Sequence, residues 1–258
     1  MRRLLILFPV SLNNSGVIMK KMILYIASLL SIATVSALEK GAVCFTFDDY
    51  HGKNWLKADA IFKKYNAHAT FFVVREITPE KVEVMKKLQA AGHSVGLHGI
   101  GHRDAPRFIA SHGEKWYWEN EIKPQLDVCN KNGIRIRSFA YPNNRHDEKS
   151  DALLFKHFDY LRAGYGKTRK IIYYPAVKDK MVLGGGGIGT YYHSQLKELK
   201  SRLDHAAKTK TVIVFFSHNI APGAKHIHMP TEMLEALLQH AEKLGLPVIG
   251  FDQLSQHK

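Results

Sequence analysis

Asp48 and Asp49 stand side by side where the apolar run AVCFTF ends, although adjacent like charges repel and each is costly to desolvate. Farther along, HGIGH places His98 and His102 four residues apart, and FFSH ends on His218. Two imidazoles and one carboxylate drawn from separate segments form a ligand set that suits a divalent cation with positions left open for water and substrate. Taken alone, an HxxxH spacing in a chain with 15 His is also what a helix surface pair gives, and a single Asp at such a turn is a common helix N-cap. A cap accounts for one of the two acids and leaves the other unexplained. A cation on Asp49 answers for both, because it offsets the repulsion and leaves Asp48 ionised as a general base, with His218 as a general acid on the opposite side.

Positioning such a set requires elements whose ends converge. Short β-rich apolar runs occur at 42–47, 69–74, 93–98, 134–141, 158–163, 211–216 and 246–251, separated by longer amphipathic stretches. Thr78 followed by Pro79 marks a helix start, and Gly92 its end. Strand and helix in alternation imply parallel strands with right-handed crossovers, either a barrel or an open doubly wound sheet. Both architectures collect functional groups at the C-terminal ends of strands. Asp48, Asp49, His98, His102, the YPNNRHD stretch and His218 all fall there. Within the first strand, Ala42, Cys44, Thr46 and Asp48 share one face, suited to a narrow barrel interior, while Val43, Phe45 and Phe47 share the other. Asp49 joins Asp48 only if the strand ends there and the chain turns.

The ordered motifs TFDD, HGIGH, FAYPNN and FFSH, with ATFFVV after the first helix and LGLPVIGFDQL near the end, resemble the polysaccharide deacetylase family, the NodB-homology carbohydrate esterases. The resemblance spans roughly residues 41–254 and implies a distorted seven-stranded (β/α) barrel that hydrolyses N- or O-linked acetyl groups on a carbohydrate with the help of a divalent metal, zinc first and cobalt, nickel or manganese as alternatives. It implies that Asp48 is the base, Asp49, His98 and His102 the metal ligands and His218 the acid. Tyr141, Pro142, Asn143 and Arg145 fall on the oxyanion and substrate side, where the backbone N–H of Asn143 is available and Arg145 is a candidate partner for Asp48. Ala140 stands where the family usually has an Arg that orders the base, Asn143 replaces a Tyr, and no acid followed by Trp matches the fourth motif. These departures keep open a second reading, a weakly active or inactive relative that binds glycan.

The rest of the chain bounds the setting. Its 258 residues, 45% hydrophobic and 23% charged, exclude disordered and fibrous classes. The segment 19–41, with Lys20 and Lys21, an apolar stretch over 22–35 and small residues at Val35-Ser36-Ala37, predicts a signal peptide cleaved after Ala37, following an extended start before Met19. That stretch is shorter than the roughly 20 apolar residues of a membrane span, so an exported, periplasmic or extracellular protein without a stable membrane anchor is expected. Cleavage lowers the formal charge from +14 to +10, since it removes Arg2, Arg3, Lys20 and Lys21 and no acid. The Lys and Arg are scattered and not interleaved with aromatics, so no nucleic-acid partner is expected, and a basic nucleic-acid-binding protein stands as the less favoured third reading. Cys44 and Cys129, each in an apolar context, are expected as separately buried thiols. The GGGGIG run at 184–189 lacks the Lys-Ser/Thr of a phosphate loop and reads as a flexible surface loop within 164–192. Tyr173, Tyr174, Tyr191 and Tyr192 in that stretch are candidate stacking faces for sugar rings, and His226 and His228 are expected near the pocket mouth.

Overall fold

The computed structural model describes residues 41–165, 171–175, 177, 179–223 and 228–256. The expected leader with its cleavage site, and His226, lie outside the described residues. Seven parallel strands close into a barrel: β1 (Ala42–Phe47), β2 (Thr70–Val73), β3 (Ser94–Leu97), β4 (Ser138–Ala140), β5 (Tyr160–Gly164), β7 (Met181–Gly187) and β8 (Val212–Ser217), in that order, with β8 returning to pair with β1. A two-residue strand β6 (Tyr173–Tyr174) adds antiparallel to β8, and β9 (Asn219–Ala221) pairs with β10 (His228–Pro230) beside the rim. Helices α1 (Gly52–Lys64), α2 (Pro79–Ala90), α3 (Ala105–His112), α4 (Glu114–Tyr117), α5 (Lys123–Lys131), α6 (Glu148–Leu154), α7 (Leu196–Thr209) and α8 (Thr231–Lys243) form the crossovers and the outer layer. Among the described residues no helix is long and apolar enough to cross a membrane.

Side-chain alternation in β1 builds the two-layered core. Val43, Phe45 and Phe47 pack outward in one cluster with Trp55 and Phe62 of α1, where the Phe47 and Phe62 rings meet edge to face with centroids 6.2 Å apart. Ala42 and Cys44 face inward with Leu183, Val212 and Val214. Small residues from β1 leave room for these neighbours inside the barrel, as a closed sheet of this size requires. Cys44 belongs to the inner cluster and Cys129 to the outer one, and both are buried and unbridged.

The membership of the barrel differs from the periodic reading in one strand. Residues 246–251 touch β1 through a single bridge, Val43 to Val248, before a 3₁₀ turn from Phe251. Pro247 has no N–H to extend a ladder; its carbonyl accepts from Val43 N–H at 2.9 Å, and the Val248 carbonyl accepts from His68 N–H at 3.0 Å. The segment thus fills the gap where β1 and β2 splay, since those two strands pair only at Thr46–Thr70 and Phe47–Phe71. The seventh strand is β7, which contains the glycine run expected to be a loop. A Cβ on Gly186 would lie 2.5 Å from the Tyr165 ring, and one on Gly187 2.4 Å from Tyr192. At Gly186 and Gly187 aromatic rings therefore occupy the places that side chains would take, and the four-glycine stretch of β7 carries no periodicity to read.

Candidate active site and cation-binding centre

All five chemically interesting residues converge at the C-terminal rim of the barrel. Asp48 continues β1, its N–H bonded to the Ser217 carbonyl of β8 at 2.9 Å, and it is buried. Asp49 then adopts φ 73°, the turn that brings its carboxylate to the same rim, and is fixed by Val74 N–H on its own carbonyl at 2.8 Å. A left-handed φ is uncommon for a non-glycine residue, and Asp is among the side chains that tolerate it. His98 follows β3 and is 2% exposed. Its Nδ1 lies 2.7 Å from the Ala140 carbonyl of β4. A carbonyl only accepts, so Nδ1 carries the proton and Nε2 presents its lone pair to the rim. Burial outweighs the pull of Asp48 and lowers the His98 imidazole to about 4, which keeps it neutral, the form that binds metals.

Three ligand atoms, one each from Asp49, His98 and His102, lie within 4.8 Å of one another. His98 Nε2 is 3.8 Å and His102 Nε2 3.9 Å from Asp49 Oδ1, separations that two ligands of one cation with bonds of about 2.0–2.2 Å can have. The orientation of His98 by a backbone carbonyl is the outer-shell support that metal-bound imidazoles need. The donor set therefore fits a divalent cation. His218, between β8 and β9, places Nε2 4.0 Å from the other Asp49 oxygen, and Trp55 of α1 holds its carbonyl through Nε1 at 3.0 Å. A cleft of about 460 Å³ leads from Asp49 and His102 past Tyr50 and Val74 to Arg75 and Lys81.

The partner of Asp48 is Arg162 on β5, whose guanidinium forms a buried ion pair with its Oδ2. Arg145, the expected candidate, is exposed beyond the turn that follows β4. Burial would raise the Asp48 carboxyl, but Arg162, then His98 and His218, outweigh it and hold the carboxyl below its ordinary range. Removing one member of such a pair costs about 3–5 kcal/mol, because the other is left charged and buried. Tyr141 is buried in the outer cluster with its hydroxyl on Asp151 at 2.6 Å, so its side chain faces away from the site. Pro142 is buried under the 3₁₀ turn Pro142–Asn144, on which Asn143 is exposed with φ 55°. Of the tyrosines, Tyr174 is buried, Tyr173 and Tyr192 are half-buried and Tyr191 is 54% exposed. Tyr192 packs on Phe216 with centroids 5.3 Å apart, on the acid side of the rim, and His228 starts β10 with Nε2 3.0 Å from Asn219 Nδ2.

Glu121 is a second residue that the motifs leave out. A five-residue π-helical turn, Trp118–Ile122, separates α4 from α5 and carries the carboxylate beneath the loop 99–103. Both of its oxygens accept from Gly101 N–H, at 2.9 and 2.8 Å, and one accepts from Arg103 N–H at 3.0 Å. Its carbonyl accepts from Ile100 N–H at 3.0 Å. The loop that presents His102 at φ 54° is thereby tied on both sides of the ligand. π-bulges of this kind recur at functional sites.

The sequence matches the polysaccharide deacetylase family over residues 36–176. A peptidoglycan-N-acetylglucosamine deacetylase of Bacillus cereus is 33% identical over 85 residues, 33% of this chain, and the alignment spans 29% of that relative's length. Among solved structures, PdaA of Bacillus subtilis, a family 4 carbohydrate esterase, superposes with a TM-score of 0.58 at 14% identity, covering 84% of this chain and 82% of its own. A family 4 pseudoenzyme of Bacillus anthracis superposes with a TM-score of 0.56 at 15% identity, covering 83% of this chain and 65% of its own. At these identities the structural likeness is one of fold, and function has to be argued from the site. With more than half of its length matched, the chain belongs to the polysaccharide deacetylase family.

Proposed function

We propose that this chain is an exported, cation-dependent deacetylase that removes N- or O-linked acetyl groups from a carbohydrate. The observation that carries the reading is the convergence of Asp49, His98 and His102 within 4.8 Å, next to an ionised, buried Asp48. A divalent cation held by these three side chains supplies Lewis-acid chemistry, lowering the pKa of water and polarising a carbonyl. Two imidazoles and a carboxylate favour zinc, with cobalt, nickel or manganese as alternatives.

The chain's own residues supply proton transfer and orientation. Asp48 takes the proton of the attacking water, as a general base already ionised at neutral pH. His218, 17% exposed across the rim, gives a proton to the departing amine or alkoxide. Asn143 on the exposed turn offers its backbone N–H to the developing oxyanion, with Pro142 shaping that turn and Arg145 on the substrate side. Tyr191 is the aromatic face most open to a sugar ring. Export follows from the leader-like segment ending at Ala37.

Acetate release from N-acetylglucosamine oligomers and O-acetylated xylan, present with zinc and abolished by chelation, tests the reading. Glycan binding without acetate release would instead support the non-catalytic relative. Glu121→Gln is expected to weaken zinc binding 10- to 100-fold, because the amide places an N–H group among backbone donors that now share two carboxylate oxygens. Competition with a chromophoric chelator measures it, and an unchanged affinity would show that the loop holds His102 without Glu121.

A further inference from the structure

A base that is part of a hydrolytic site has to be held in one orientation, and the motif resemblance puts Ala140, which has no charge to hold it, where an Arg would be expected. Ala140 of β4 and Arg162 of β5 are direct register partners in neighbouring parallel strands. Both are fully buried and both face the barrel interior. Adjacent strands are about 4.8 Å apart, a distance a guanidinium stem readily spans. The Arg162 guanidinium lies against the Phe216 ring at 4.7 Å and the Phe72 ring at 5.8 Å, and its other arm binds the Asn144 side chain on the turn after β4. Flanked by two rings and held by Asn144, it has little freedom to turn, and it engages one oxygen of Asp48, Oδ2. The other oxygen, Oδ1, is buried and has no hydrogen-bond partner among the described residues.

We infer that Arg162 is the positioning residue of the catalytic carboxylate, reaching it from β5 rather than from position 140 of β4, and that it leaves Oδ1 as the oxygen that receives the proton. The inference rests on the reading of Asp48 as the base. Arg162 fixes the rotation of the carboxylate, and Asn144 fixes Arg162 in turn. A lysine cannot reproduce this, because an ammonium lacks the planar fork that engages Asp48 and Asn144 together.

The test compares Arg162→Lys, Arg162→Ala and the relocation variant Arg162→Ala/Ala140→Arg with the wild type. It measures kcat and KM for acetate release from an N-acetylglucosamine oligomer, with thermal melting and zinc affinity as separate readouts. Arg162→Lys and Arg162→Ala are expected to lower kcat about 100-fold, the scale of a small misplacement of a reacting group, with KM and zinc affinity retained. The relocation variant is expected to regain most of the lost kcat. If the alanine variant does not fold, Arg162→Lys decides, since it keeps a charge in the same place. Full kcat in either folded single variant, or relocation that restores melting and leaves kcat low, would overturn the inference alone. Absence of acetate release from the wild type under every cation would overturn it together with the proposed function.

Discussion

Asp48→Asn is expected to lower the rate of acetate release by roughly 10³-fold, within the range that general-base catalysis contributes. The amide keeps the shape of the carboxylate and can still accept from Arg162 through its oxygen, but it cannot take a proton from water. Zinc affinity and KM are expected to stay close to wild type, because Asp48 is separate from the Asp49, His98 and His102 set. The pH profile of the wild type carries the sign of the same argument. Burial opposes ionisation of Asp48, and Arg162, His98 and His218 more than reverse it, so the base form persists below the ordinary carboxylate range. The contribution of the base to the rate is therefore expected to be lost on the acid side below that range. Full activity in Asp48→Asn would remove Asp48 as the base, and full activity in a folded His218→Ala variant would remove His218 as the acid.

Asp49→Ala is expected to abolish cation-dependent activity down to the level of the chelated wild type. The loss is larger than that of an outer-shell partner because Asp49 is the only carboxylate of the ligand set, and only the two imidazoles remain without it. The fold is expected to survive, since Asp49 lies at a solvent-accessible turn and its backbone bond to Val74 does not involve the side chain. Near-UV circular dichroism reports the packing and metal analysis of the dialysed protein reports occupancy. Retained stoichiometric zinc in a folded Asp49→Ala variant would place the cation elsewhere.

Most of the site was legible because strand ends leave strong marks. An apolar run that stops on Asp48-Asp49, Leu97-His98 or Ser217-His218 places those residues at one rim in any parallel α/β fold, whichever way the sheet closes. The alternation in β1 also gave the inward direction of Asp48. Arg162 is legible by the same rule: in FDYLRAG, Tyr160 and Arg162 share a face, and a charge in a buried strand needs a partner of opposite sign. Arg145 is the more conspicuous candidate in the sequence because it lies nearer the motif. Glu121 left no such mark, since the π turn that aims it is a departure from the helical period rather than a feature of it. The strand β7 was hidden for a different reason. Its glycines yield their side-chain space to Tyr165 and Tyr192, so the signal for the strand lies in residues that are not part of it.

Anomalous X-ray scattering at the zinc edge, from crystals of the protein grown with zinc, tests the central claim most directly. The account predicts one strong peak at the barrel rim, about 2.0–2.2 Å from the ligand atoms of Asp49, His98 and His102. No peak there, or zinc bound only by other side chains, would contradict it.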